Sequence, residues 1–533
     1  VAGLRHLDGG LAHHHRQHHH HQLGADDFGD ETPVPLTAAK TLEKSVYTPW
    51  FESQRPYTLF EKNARSFQSW RRQMRQKIKW GLTTSLIASL VLGLTGCGGQ
   101  NEARQTPKVA YASVVSFGDS LSDPGAYQVG QVAQLGGGLF TVNGIVGAAG
   151  SEPVPSYTWA QLVSASVTGQ VSCAARTGGF GVPVTNNTAC TNYAQGGSRV
   201  TDPNGTGHAN GALTEPIVTQ VANYLSRNNG VFTGNELVTV QGGANELFAQ
   251  AGILTATATA VGNTAGNASF TSTLISMLAQ NATNPIAAGQ AIGLAMQQAA
   301  AQNDSTQNSI VTAAVLAATA QAGNSADPSS YGSAITSATN TALAAGNLAA
   351  AQYIANTGAP IAIGAMVSAA AELSASVNNM ISKGAKRVVV TNLPDVSLTP
   401  YALSTINGSD NSTQQRVLAM TTAFNERLRA DLTGLPNVLF VDVFTENQRQ
   451  IANPAQFGLN NVTGMACNLN YPSNLFATPG VPGSGSSLVC NTNNLIAGNT
   501  SRYLFADSVH PTPYGHKLLA QLVTKELVLA GWL

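Results

Sequence analysis

The chain has 533 residues, of which 43% are hydrophobic and only 10% are charged, and its formal net charge is zero. This length exceeds that of one ordinary domain, and the apolar fraction is sufficient for a large buried core. Because the residues from Cys97 onward carry a small acidic excess, the composition argues against a nucleic-acid-binding protein.

Residues 1–73 show no clear hydrophobic period and contain seven histidines between His13 and His21. A metal site in this tract is one interpretation. We favour a disordered segment, or a translation start assigned too far upstream with Met74 as the real first residue. The reason is that the residues after Met74 resemble an export signal, and such signals begin a chain.

Residues 74–96 have the order of features found in a signal peptide. A basic run is followed by the apolar segment 82–92, which is too short to span a membrane. Leu-Thr-Gly then precedes Cys97, a pattern that resembles the bacterial lipobox. The resemblance implies cleavage before Cys97, a lipid anchor on that cysteine and a polar tether over 97–112. We therefore expect an exported protein anchored at the outer membrane; an ordinary cleaved signal, giving a secreted protein, and a short anchor helix are the alternatives.

Four further cysteines fall into two local pairs, Cys173 with Cys190 and Cys467 with Cys490. Each pair encloses a loop rich in Gly, Asn and Thr. In an oxidising compartment this spacing predicts two loop-closing disulfides. Metal binding by these cysteines is not expected, because the chain has no Cys-x-x-Cys pair or matching histidines. We expect no cofactor.

An apolar β-branched run ends at Phe117 and is followed by Gly118 and Ser120. The run predicts a buried strand, and the glycine permits a close turn after it. Ligands of open parallel sheets collect at the carboxyl ends of the strands, so Ser120 is expected at the mouth of a site.

The next elements alternate in type. Helices are predicted over 157–167, with Trp159 facing the core, and over 213–225; a strand is predicted over 237–241. Between 251 and 375 the chain becomes rich in Ala, Gln, Asn and Thr with hardly any charge. Helices are expected there around 274 and over 286–300, 310–322 and 353–373. We interpret this segment as an inserted helical subdomain, either a lid or acyl-chain wall beside the site or a surface insertion with no catalytic role.

Two more buried strands are predicted over 386–394 and 437–443, with a helix over 413–432 between them. Strands that alternate with helices indicate an α/β fold with a parallel sheet. The predicted organisation is one domain formed by residues 113–250 and 376–533, interrupted by the insertion.

Near the end of the chain, Asp507 stands three residues before His510, close enough for the carboxylate to bind the imidazole. An activated serine needs such a base and a group that orients it. Asp442, at a strand end, and His208 and His516 are rivals that we do not favour, because each lacks a partner in the expected arrangement.

Four short blocks carry a family resemblance. They are GDSLSD at 118–123, NYAQGG at 192–197, GGAN at 242–245 and DSVH at 507–510, and they occur in the order typical of the family. The chain resembles the GDSL esterases and lipases, also called SGNH hydrolases, of a bacterial lipoprotein type. The resemblance implies a three-layer α/β/α sandwich with a mostly parallel, flavodoxin-like sheet.

The same resemblance assigns roles to residues. It implies that Ser120 is the nucleophile, His510 the general base and acid, and Asp507 the residue that orients it. No metal or cofactor belongs to that chemistry. The motifs Gly-x-Ser-x-Gly, His-Glu-x-x-His and the phosphate loop are absent from the chain, which argues against other common hydrolases and nucleotide enzymes.

An oxyanion hole is implied as well. Its donors would be the N–H groups of Ser120 and Gly197 and the side-chain amide of Asn245, with Gly196 as the alternative to Gly197. One departure is present: Glu246 stands where the family usually has aspartate. The other residues that the family motifs require are present in the chain.

The function expected from these features is cleavage of carboxylic esters, with acyl lipids or other fatty esters favoured as substrates. The alternatives are an acetylesterase acting on carbohydrate and a non-catalytic surface-binding lipoprotein. The expected partners are a small-molecule or lipid ester and, through the lipid anchor, a membrane; no nucleic acid is expected, and the protein is expected to be a monomer.

Overall fold

The computed structural model describes residues 109–144, 156–408 and 410–533. The N-terminal extension, the signal peptide, Cys97 and most of the tether lie outside the described residues, so the predictions made for them remain predictions.

The described segments contain strands and helices in alternation. The strands are β1 (Ser113–Phe117), β2 (Arg176–Gly179), β3 (Val182–Asn186), β4 (Glu236–Val240), β5 (Val388–Thr391), β6 (Val438–Val441), β7 (Asn461–Met465) and β8 (Tyr503–Phe505). The helices before the sheet's third strand are α1 (Gly130–Gln134), α2 (Trp159–Thr168), α3 (Ile217–Arg227), α4 (Ala244–Ala279), α5 (Pro285–Ala300), α6 (Gln307–Thr319), α7 (Gly332–Tyr353) and α8 (Ala359–Ser382). The later helices are α9 (Pro400–Leu403), α10 (Ser412–Leu432), α11 (Val443–Ala452) and α12 (Pro513–Leu529).

Four of these strands form a parallel sheet in the order β1-β4-β5-β6. The segment around Asn192 adds one parallel bridge, to Ser116, and so extends the sheet beyond β1. With that segment counted as a reduced second strand, the order becomes 2-1-3-4-5, which is the flavodoxin-like arrangement. The predicted α/β fold with a parallel sheet is confirmed.

Helices cover both faces of the sheet, because successive strand residues point to opposite sides. Val115 and Val238 pack with α3, α8 and α10 in the largest hydrophobic core. Val114 and Leu237, their chain neighbours, pack with α2 and α12 on the other face. Trp159, the first residue of α2, is fully buried there, as predicted. The arrangement is the expected three-layer sandwich.

Between β4 and β5 the chain builds a helical projection. Its helix α4 has 36 residues and is therefore about 54 Å long. A second hydrophobic core, containing Phe270, Ile292 and Val315, joins the far half of α4 to α5, α6 and α7. Phe270 follows Asn245 by 25 residues of continuous helix, so this core begins roughly 37 Å from Asn245. The boundaries proposed at 251 and 375 remain predictions.

The helix predicted over 353–373 is helical at every residue. It contains the π-helical turn Ile354–Gly358, which lies between α7 and α8. Helix α7 was not predicted, since its sequence is rich in Ser, Thr, Asn and Gly rather than in periodic large apolar residues. By length and composition alone, the helical stretch Pro328–Ser382 meets the requirements of a membrane span, with a window of mean hydropathy 1.4 that is 44% buried. Part of that stretch, α8, lies in the largest core.

Both predicted disulfides are present in the structure, Cys173 with Cys190 and Cys467 with Cys490. The first encloses the hairpin of β2 and β3, which was predicted only as a loop. These crosslinks restrain two long connections, one before the Asn192 segment and one before β8.

Candidate functional site

The turn after β1 places Ser120 at the carboxyl end of the sheet. A Cβ atom on Gly118 would lie 2.6 Å from the Gln241 carbonyl oxygen, so only glycine fits at that position. The backbone N–H of Gly118 donates to Gln220 Oε1 at 2.8 Å, and its carbonyl accepts from Gln220 Nε2 at 2.8 Å. The turn is therefore fixed by a glutamine side chain, and it leaves Ser120 8% exposed.

The structure brings Ser120, His510 and Asp507 into one hydrogen-bonded chain. His510 lies between β8 and α12, and its Nε2 atom is 2.8 Å from Ser120 Oγ. Its Nδ1 atom is 2.8 Å from Asp507 Oδ2 and 3.0 Å from Oδ1. Asp507 also accepts the N–H groups of Ser487 and Val509. Two segments of the chain, separated by 390 residues, thus meet so that the hydroxyl, the imidazole and the carboxylate are hydrogen-bonded in series.

The charges of this chain favour an ionised aspartate. Burial by itself would raise the pKa of Asp507, but attraction to His510 and hydrogen bonds from His510 and Ser487 bring it well below the usual value. For His510, burial lowers the pKa, whereas attraction to Asp507 and Asp119 raises it, and the net change is upward. Asp507 therefore remains a carboxylate beside the imidazole at neutral pH.

Asp119 is a further buried carboxyl next to Ser120. It is 1% exposed, and its Oδ2 atom has no hydrogen-bond partner within the described segments. Burial raises its pKa to about 6, although the Leu121 N–H and the attraction of His510 act in the opposite direction. No role for Asp119 was predicted from the sequence.

The two glycines of the second block differ in what their N–H groups contact. Gly196 donates to Asp123 Oδ2 at 2.8 Å. For Gly197, none of the described residues accepts the N–H. Gly197 has φ of 81°, and a Cβ atom there would lie 2.0 Å from the Thr206 carbonyl oxygen. Of the two candidates, Gly197 is the one whose N–H is available to a ligand.

Asn245 lies in the first turn of α4, directly after the strand end of β4. Its side chain is 5% exposed, and Nδ2 donates one hydrogen to the Ser198 carbonyl at 3.0 Å. The second Nδ2 hydrogen has no acceptor within the described part of the chain, and the same holds for the Ser120 N–H. These donors and the Gly197 N–H belong to three segments joined by direct hydrogen bonds.

Gln220 forms hydrogen bonds to two of these segments, and this role was not predicted from the sequence. It is fully buried in α3 and donates to Ser198 Oγ at 3.2 Å while holding both backbone groups of Gly118. The turn that carries Ser120 and the segment that carries Ser198 are thus tied to one side chain. The available signal was a glutamine among the apolar positions of an amphipathic helix, since a buried amide needs partners.

The rival residues have structural partners. His516 is fully buried in α12 and accepts the Trp159 N–H; burial and repulsion by His510 lower its pKa to about 3. Asp442 caps α11 and forms an ion pair with Arg429 at 2.7 Å. His208 is exposed and contacts Thr214. Among the described residues, no group of three or more His, Cys, Asp or Glu side chains is placed to hold a metal ion.

Partly buried aromatic rings contact His510 or lie on segments joined to the site residues. The Phe140 ring lies 5.1 Å from the His510 ring. Phe248, one turn after Asn245 on α4, packs edge-on against Tyr401 with ring centroids 5.2 Å apart. The Tyr401 N–H donates to the Ser508 carbonyl at 2.9 Å, inside the loop that carries Asp507 and His510. The Phe248–Tyr401 pair therefore connects the Asn245 side of the site to the His510 side.

Part of the chain is similar to known proteins. The GDSL-like Lipase/Acylhydrolase family model matches residues 364–523, which include the Asp507 and His510 block but not Ser120. A GDSL esterase/lipase of Arabidopsis thaliana is 26% identical over 155 residues, which is 28% of this chain and 39% of the relative. GDSL esterase/lipase 7 of the same plant is 28% identical over 158 residues, 28% of this chain and 39% of the relative.

A bacterial relative is also similar to this chain over a short stretch. Esterase EstA of Pseudomonas aeruginosa is 34% identical over 152 residues, covering 28% of this chain and 20% of that protein. The chain thus spans about two fifths of the plant relatives and one fifth of the bacterial one. The similarity to the GDSL-like lipase/acylhydrolase family thus covers residues 364–523 in the family model and 152 to 158 aligned residues in these relatives.

Proposed function

We propose that this protein is a serine hydrolase that cleaves carboxylic esters through an acyl-enzyme. The observation that supports this most directly is the 2.8 Å contact between His510 Nε2 and Ser120 Oγ, with Asp507 on the opposite ring nitrogen. This arrangement lets one imidazole remove the hydroxyl proton while the carboxylate stabilises the imidazolium that forms.

The reaction has two halves. Ser120 Oγ attacks the ester carbonyl carbon and its proton moves to His510 Nε2; the bond to the alcohol oxygen then breaks, and His510 returns the proton to the departing alcohol. In the second half, a water molecule gives a proton to His510 and attacks the acyl carbon. The bond to Ser120 breaks, the carboxylic acid leaves, and the serine regains its proton.

The oxyanion formed in each half needs hydrogen-bond donors. The N–H groups of Ser120 and Gly197 and the second Nδ2 hydrogen of Asn245 are proposed for this role, because each lacks an acceptor among the described residues. Removing one such donor typically costs about 10²- to 10³-fold in turnover.

The rings of Phe140, Phe248 and Tyr401 favour an apolar acyl group over a free sugar as the bound part of the substrate. An aromatic pair at a site entrance can bury the alkyl chain of a bound ester, and each buried CH₂ group contributes about 0.8 kcal/mol to the free energy of binding. The far core of the helical projection begins roughly 37 Å along α4, so the base of α4, with Phe248, is the part of the insertion proposed to contact substrate.

A series of p-nitrophenyl esters from acetate to decanoate tests the proposed activity and substrate class together. We expect serine-dependent hydrolysis with kcat/KM rising beyond acetate, and a selective loss on the longer esters in Phe248→Ala and in Tyr401→Ala, about fourfold for each CH₂ group no longer contacted. Leu343→Ala, at an exposed leucine of α7, is the matched control.

A sharp preference for acetyl esters, with activity on acetyl-xylan, would support the carbohydrate acetylesterase instead. The absence of turnover on every ester would support the non-catalytic binding protein and contradict the proposal.

We also propose export and a lipid anchor on Cys97. The support is the lipobox-like sequence before Cys97 and the two disulfides, which persist in oxidising compartments. When the full chain is made in a bacterium fed a labelled fatty acid, the protein should carry the label and sediment with membranes. Cys97→Ser should lose both properties; label retained in that variant would contradict the anchor.

A further inference from the structure

Two buried carboxyl groups outside the triad hold the backbone on either side of Gly197. Asp123 Oδ2 accepts the Gly196 N–H at 2.8 Å, and Glu246 Oε1 accepts the Val200 N–H at 2.5 Å. Asp123 is fully buried and Glu246 is 4% exposed. The segment 196–200 is thus fixed at both ends by side chains from other parts of the fold.

The Asp123 end is connected to the nucleophile turn. Asp123 Oδ1 accepts the N–H groups of Gly125 at 2.9 Å and Ala126 at 2.6 Å, which fixes the carboxyl group in the loop after Ser120. Tyr127, in the same loop, donates its hydroxyl to the Gly196 carbonyl at 2.7 Å. These hydrogen bonds therefore hold Gly196 in a fixed position relative to the loop that follows Ser120.

The Glu246 end is connected to Asn245. The two residues are neighbours in the first turn of α4, and the Asn245 amide donates to the Ser198 carbonyl inside the same segment. The guanidinium Nε of Arg199 lies 3.7 Å from Glu246 Oε1, and Oε2 has no partner in the described part of the chain. One helical turn thus supports the segment through two side chains.

We propose that Asp123 and Glu246 are positioning residues that clamp the segment 196–200 from both ends and so aim the Gly197 N–H at the reacting carbonyl oxygen. The catalytic role of the clamp depends on the proposed ester hydrolysis. Its hydrogen bonds can be tested without measuring catalysis. It gives a use to Glu246, the residue at which the chain departs from the family pattern.

The two clamp residues differ in how they should respond to an amide. Glu246 accepts through one oxygen only, so glutamine can keep that contact and place its NH₂ where Oε2 has no partner. Asp123 accepts through both oxygens, so asparagine must direct an NH₂ group at a backbone N–H. Burial raises the pKa of both carboxyls to about 7.

The test compares Glu246→Gln, Glu246→Met and Asp123→Asn in the full chain. We expect Glu246→Gln to keep kcat within about threefold, and Glu246→Met and Asp123→Asn to lose about 10- to 100-fold in kcat with little change in KM, because displacing a donor weakens transition-state contacts alone. A trifluoromethyl ketone should lose affinity in parallel with kcat. Glu426→Met, the same change at an exposed glutamate of α10, is the control.

Amide hydrogen exchange gives a readout independent of activity. The Val200 N–H should exchange faster in Glu246→Met than in the parent, and as slowly as the parent in Glu246→Gln. If Glu246→Met does not fold, Glu246→Asp replaces it, since withdrawing the carboxylate by one carbon–carbon bond of about 1.5 Å also breaks the contact. Parental kcat and exchange in these variants would overturn the clamp, whereas an inactive parent with the expected exchange pattern would overturn the hydrolase function alone.

Discussion

We expect kcat for ester hydrolysis to fall by about 10³-fold or more in Ser120→Ala, in His510→Ala and in the double variant. The residual kcat should be the same in all three. The two side chains share one hydrogen bond of 2.8 Å, and neither has a catalytic use without the other. The alcohol needs a base to become a nucleophile, and the base has no proton to take when the alcohol is gone. The double loss should therefore be no larger than either single loss.

The measurement is steady-state hydrolysis of a p-nitrophenyl ester, with thermal unfolding recorded for every variant. Ser226→Ala is the matched control, because Ser226 is exposed on α3 and its hydroxyl contacts only the Asn223 carbonyl of its own helix. Losses that add in the double variant would mean that the two residues act separately, and parental turnover in Ser120→Ala would remove the serine from the mechanism.

The residues proposed for chemistry could be predicted because each belongs to a short block beside a strand end. Ser120 follows β1 and Asn245 follows β4, and parallel strands deliver their carboxyl ends to one edge of the sheet. The choice of Gly197 over Gly196 gains physical support from the structure, since the Gly196 N–H is already bound by Asp123. The sheet itself followed from four apolar runs.

Long-range polar contacts could not be read from the sequence. Gln220 lies 102 residues from Gly118, and Glu246 lies 46 residues from Val200, so no local pattern links the members of either pair. The helical projection was located by composition, but its internal boundaries were not. Small residues such as Gly262 and Gly346 let α4 and α7 approach closely, and a periodicity of large apolar residues does not detect that kind of packing.

Asp507→Asn is expected to lower kcat by about 10⁴-fold while leaving the fold intact. The asparagine oxygen can still accept the Val509 and His510 N–H groups that Asp507 binds at 2.9 and 2.8 Å. Only the longer contact with the Ser487 N–H, at 3.2 Å, is lost. Its NH₂ group then faces His510 Nδ1, which must become the acceptor, so the proton moves to Nε2. The nitrogen beside Ser120 Oγ can no longer act as a base.

The pH profile separates this explanation from simple damage. In the parent, attraction to Asp507 and Asp119 raises the pKa of His510 against the effect of burial, and kcat/KM should fall as the pH drops through that pKa, because only neutral His510 accepts the serine proton. Without the Asp507 charge, burial dominates, the pKa of His510 falls, and the acidic limb of the residual activity moves to lower pH. An acidic limb that stays in place, or moves to higher pH, would show that Asp507 does not set the protonation of this imidazole.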